Sequence, residues 1–94
     1  MVVAGYLVVD PGRRDDYVAG CAEVVRLTRD ADGCLEFAVA ADPLRVDRVL
    51  VLERWVSRAA AEAFRGSGPD EQQRVAVRAA SVAEYEVAAV RPLT

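Results

Sequence analysis

The chain has 94 residues, of which 53% are apolar or aromatic, so it is read as one domain (1–94) with a thin core and more apolar surface than a small monomer hides easily. Its net charge is −3 and its twelve cations, all arginine, are scattered, which argues against a nucleic-acid partner. Lysine, histidine and asparagine are absent and Cys21 and Cys34 form no CxxC, which excludes a Schiff base, a P-loop and a serine–histidine triad and argues against a zinc or haem site.

VVAGYLVVD (2–10) is nearly continuous valine-rich apolar sequence, the pattern of a buried strand. It has no basic head or cleavage site, so it is not a signal peptide. No run approaches the ~20 apolar residues that span a bilayer. The expectation is a cytoplasmic protein with no membrane partner. Asp10-Pro11-Gly12 starts a helix, the carboxylate capping and Pro11 in the first turn. From Arg13 to about Asp30, Tyr17, Val18, Cys21, Val24, Val25 and Thr28 form one stripe, which Gly20 weakens. Asp32-Gly33 closes that helix. CLEFAVAA (34–41) is a second strand, 42–47 a turn, and Arg48 to Val56 a third strand. Ser57 caps a helix over 58–64, GSGP (66–69) interrupts, and 69–80 reads as a further helical turn or two. SVAEYEVAAV (81–90) alternates as a fourth strand.

The order β-α-β-β-α-β is that of an α+β, ferredoxin-like fold with a four-stranded antiparallel sheet. Both helical regions lie on one face, leaving the other bare. The bare face is expected to carry Val, Leu, Phe and Trp, and to be covered by a second copy of the chain.

Three patterns share an order and spacing: VDPGRRDDY, TRDADGCLEFAV with its Gly-Cys-Leu element, and VLVLERWVSRAAAEAF with its Glu-x-Trp element. Together they resemble the antibiotic biosynthesis monooxygenase (ABM) family of dimeric α+β barrels, over residues 2 to about 91. The resemblance implies a homodimer whose sheets enclose a cavity on each subunit. It implies oxidation of an aromatic polyketide or quinol-type molecule by molecular oxygen, with no metal and no flavin or other cofactor. A non-oxidative ligand-binding or polyketide-cyclase-like protein is the alternative, and a structural dimer with a collapsed interior the third. Where family members often carry histidine, nine residues after the tryptophan, this chain has Phe64. The asparagine of the haem-degrading relatives falls at or near Gly5, which argues against haem degradation.

Glu53 and Trp55 share parity with Val49 and Val51 and point to one face. If that face lines the cavity, Glu53 can take a proton from a phenol. The competing and preferred reading makes it a structural anchor bordering the pocket, paired with an arginine or with backbone N–H groups, because buried carboxylates are normally paired. Trp55 either stacks on a substrate, its N–H to a carbonyl, or fills the core. Tyr6, Phe37, Phe64 and Tyr85 are candidates for an aromatic pocket wall, with core packing preferred for the two phenylalanines. Glu84 and Glu86 are expected to face solvent.

Overall fold

The computed structural model describes residues 1–65 and 75–94. The elements are β1 (Val2–Val8), α1 (Arg14–Gly20), α2 (Ala22–Arg29), β2 (Cys34–Ala41), β3 (Arg48–Trp55), α3 (Arg58–Arg65) and β4 (Ala79–Tyr85). The strands form one antiparallel sheet in the order β2-β3-β1-β4. This is the expected α+β, ferredoxin-like arrangement. α2 packs on β2 and α3 on β3.

Local chemistry sets the element ends. The Asp10 carboxylate accepts from the Gly12 N–H at 2.8 Å, opening a 3₁₀ turn over Pro11–Arg13. The helical stripe is two helices rather than one: α1 stops at Gly20, and the Cys21 N–H is shared between the Tyr17 and Val18 carbonyls. Glycine in a helix interior costs about 1 kcal/mol relative to alanine, and the break falls beside it. Gly33 follows α2 with φ +81°, and a Cβ there would stand 2.6 Å from the Ala60 Cβ. Its missing side chain therefore lets α3 settle against the start of β2. Asp42 turns β2 into β3 by accepting from the N–H groups of Leu44 and Arg45. Ser57 Oγ accepts from the Ala60 N–H at 3.1 Å and caps α3.

The predicted fourth strand shifts. Ala79 and Ala80, read as helical, open β4 opposite Val8 and Leu7, and the strand ends at Tyr85 opposite Val2. The length of β1 decides this: residues 86–90 extend past its first residue and are not strand. Alanine's helix preference gives way to the ladder. The expected GSGP interruption and most of the predicted 69–80 helix lie outside the described residues; Val75 and Ala76 are helical.

Register assigns the faces. Val3, Gly5 and Leu7 stand opposite Glu53, Val51 and Val49, and Phe37 stands opposite Glu53 from the other side. That face lies under the helices and holds the buried side chains Val3, Val49 and Trp55, with Val9 just beyond β1 and Ala61 from α3 above. The opposite face carries Val2, Ala4, Tyr6, Val8, Ala38, Ala40, Leu50, Leu52 and Tyr85. The expectation that the bare face holds Phe and Trp is therefore corrected: alternation sends Phe37 and Trp55 beneath the helices. Charged groups on the bare face are matched locally. Arg54 pairs with Glu36 at 3.2 Å, and the Arg48 guanidinium lies 3.6 Å from the Tyr6 ring centroid. At the β2 edge, the Arg29 Nε donates to the Phe37 carbonyl at 2.8 Å.

Candidate functional site

The polar feature of the covered face is a pair two residues apart on β3. The Trp55 indole Nε1–H donates to Oε1 of Glu53 at 2.9 Å. Residues i and i+2 of a strand share a face, so the ERW spacing aims both side chains under the helices. Trp55 is only 2% exposed, whereas Glu53 is half-buried.

Several contacts hold the indole. Its ring lies 5.8 Å from that of Phe64 on α3, tilted by 38°. The backbone of Trp55 is tied to Met1 in both directions: its N–H donates to the Met1 carbonyl, and its carbonyl accepts from the Met1 ammonium. Cys34 stands opposite Trp55 across the first rung of β2, with the register irregularity at Leu35 just after it. Burial pushes the Cys34 thiol above its ordinary pKa. A hydrogen bond from the Glu36 backbone acts against that rise, and the nearby Glu53 charge adds to it.

No arginine answers Glu53 among the described residues. Arg54 goes to Glu36 on the other face, and Arg58 to Glu84 at 3.1 Å. The anchor of Glu53 is thus an indole rather than the expected cation or backbone N–H. Glu84 does not simply face solvent: Arg58 and Arg65 both bind it, fastening α3 to β4. Glu86 is exposed, as expected.

The six aromatic and acidic candidates fall into two groups. Glu53, Trp55, Phe37 and Phe64 gather on the covered side, Phe37 directly across from Glu53. Tyr6 and Tyr85 stand on the bare face, Tyr6 opposite Leu50 and Tyr85 opposite Val2. One chain does not bring the two tyrosines to the Glu53–Trp55 pair. Cys34 is the neighbour that sequence reasoning left out of the site. Its place at the opening of β2, facing the end of β3 in a hairpin, was the available signal.

Gly5 leaves no room for a side chain between β1 and β4. A Cβ at Gly5 would lie 1.9 Å from the Ser81 backbone oxygen of β4. Two surface grooves, of roughly 490 and 440 Å³, are lined by Val18, Val25 and Val39 and by Met1, Arg58 and Val87. Neither includes Glu53 or Trp55. The described residues contain no cluster of three or more histidine, cysteine or acidic side chains suited to a metal ion. None of their helices is long and apolar enough to cross a membrane.

The family model described as antibiotic biosynthesis monooxygenase (ABM) matches residues 1–78. Among solved structures, a protein of Deinococcus radiodurans provisionally named an antibiotic biosynthesis monooxygenase is 20% identical, with 100% of this chain and 99% of that one covered and a TM-score of 0.77. One of the same provisional name from Chloroflexus aurantiacus is 24% identical, covering 99% and 97%, with a TM-score of 0.71. Rv0793 from Mycobacterium tuberculosis is 24% identical, covering 94% and 97%, with a TM-score of 0.69. At these identities the likeness shows a shared fold. No functionally curated protein matches the chain.

Proposed function

The chain belongs to the antibiotic biosynthesis monooxygenase family, and from that premise we propose that it is a cytoplasmic, cofactor-independent monooxygenase-like protein acting on an aromatic polyketide or quinol-type molecule. The observation that carries this reading is Glu53: a half-buried carboxylate, hydrogen-bonded by a buried indole and paired with no cation among the described residues. Such a group is free to accept a proton from a phenol or enol. Deprotonation leaves an electron-rich anion that can react with oxygen directly. The balance for an anthrone-type substrate closes without a reductant: a ring CH₂ and O₂ give C=O and H₂O. The substrate supplies the four electrons. The protein binds the ring, takes the first proton and limits water.

The chain acts as a homodimer in this reading, with the bare sheet face against its twin. Leu50 and Leu52 are 38% and 36% exposed there, and Tyr6 and Tyr85 lie on the same face. On that face Arg54 already pairs with Glu36, and the Arg48 guanidinium stacks on the Tyr6 ring.

Oxygen consumption with anthrone- and naphthol-type compounds tests the activity. Wild type is expected to exceed buffer, and Glu53→Gln to fall by roughly 100-fold, the lower range for loss of a general base. A panel with no uptake above buffer rejects it. A non-oxidative binding or cyclase-like role is the second reading: histidine and asparagine are absent from the chain, and the buried, engaged indole of Trp55 cannot touch a substrate. Ligand-dependent thermal shifts without oxygen consumption would mark that role.

A further inference from the structure

The Trp55 side chain has one hydrogen-bond donor, and Glu53 already receives it. Burial leaves the ring no open face for a ligand. Phe64 on α3 packs against the ring, and the paired bonds to Met1 fix the backbone beneath it. A rigid, fully buried donor aimed at a half-buried carboxylate is the arrangement that orients an acid or base.

We infer that Trp55 is a positioning residue: its indole N–H holds Oε1 of Glu53, leaving Oε2 as the oxygen that receives a proton from a hydroxyl-bearing aromatic ligand. The inference rests on the proposed function for the identity of the proton donor, and on geometry alone for the role of Trp55. Of the two readings of the tryptophan, stacking on a substrate or filling the core, it builds on the second.

The titratable and charged groups around Glu53 include the Met1 ammonium on the Trp55 carbonyl. Cys34 lies on β2, Arg29 on α2 near that thiol, and Glu84 one strand beyond Val3, held by Arg58 and Arg65 of α3. Glu84 is a second carboxylate on that side of the sheet, so variants must separate the two.

Trp55 is the only tryptophan in the chain, so tryptophan emission comes from the residue that makes this hydrogen bond. The test is a fluorescence titration of the full-length protein from pH 7 to pH 3, in wild type, Glu53→Gln and Glu84→Gln. Wild type and Glu84→Gln are expected to show one carboxylate step in intensity or emission maximum, and Glu53→Gln to lose it. A step that survives in Glu53→Gln overturns the inference, whatever oxygen uptake does. In the oxygen assay, Trp55→Phe keeps an aromatic ring but no donor. The acid limb of its pH–rate profile is expected to differ from that of wild type. An unmoved limb overturns the inference. Should Trp55→Phe fail to fold, the wild-type and Glu53→Gln titrations still decide. Absence of uptake in wild type rejects the oxygenase reading and leaves the titration to judge the positioning role.

Discussion

The carboxylate of Asp42 shows how much one side chain can do with the backbone next to it. The N–H groups of Leu44 and then Arg45 hold its pKa below the ordinary value, with the arginines at 48 and 45 adding attraction. A folded value depressed below the unfolded one means that the stabilisation is present above the unfolded pKa and is lost as pH falls through the folded value. Asp42→Ala should therefore lower the melting temperature at pH 7 and narrow the difference between pH 7 and pH 3, as read by circular dichroism. Equal pH dependence in variant and wild type would count against this. Contacts of such short range were legible in the sequence: Asp10, Gly33 and Ser57 each act on backbone within a few residues, and residue type announces the role. Glu53 was legible only by half. Strand parity put it beside Trp55, yet the expected partner was an arginine or backbone N–H groups. The arginines are claimed by Glu36, Glu84 and Glu23, through contacts that depend on register and helix placement.

Among the elements, β1 dictates most. It pairs on both sides, with β3 and β4, and so sets where β4 begins and ends. Gly5 sits at its middle with φ +155° and the Ser81 carbonyl against the place of a Cβ. Gly5→Asn should destabilise the protein by about 3 kcal/mol, the upper range for overpacking. That corresponds to a fall in melting temperature of roughly 12 °C or more for a domain of this size. Denaturant titration checks it; a variant as stable as wild type would show that β1 and β4 separate freely. The first three strands were readable from apolar runs and turn residues. The fourth was misjudged because Ala79 and Ala80 favour helix in isolation, and only their alignment with Val8 and Leu7 makes them strand. The break after Gly20 had its sign in the glycine, although the stripe of Val18, Cys21 and Val25 passes through it unbroken.

For the whole molecule, the question is what lies against the bare face of the sheet. Composition indicated an apolar surplus before any element was assigned, and the face carries Val2, Leu50, Leu52 and Val8 rather than Phe37 and Trp55. Which residues lie on it needed register, since alternation alone assigns parity and not direction. Leu50→Glu places a charge at the centre of the face without touching the covered side. Sedimentation velocity at micromolar concentration should give a dimer for wild type and a monomer for the variant, with unchanged far-ultraviolet circular dichroism; a monomeric wild type would end the homodimer proposal. The outer edge of β2 behaves differently from that face. There the Arg29 guanidinium occupies the Phe37 carbonyl, a group that an incoming strand would need for its own ladder. A cationic side chain folded over an open rim discourages rim-to-rim stacking, so at this carbonyl the edge of β2 offers an incoming chain no ready acceptor.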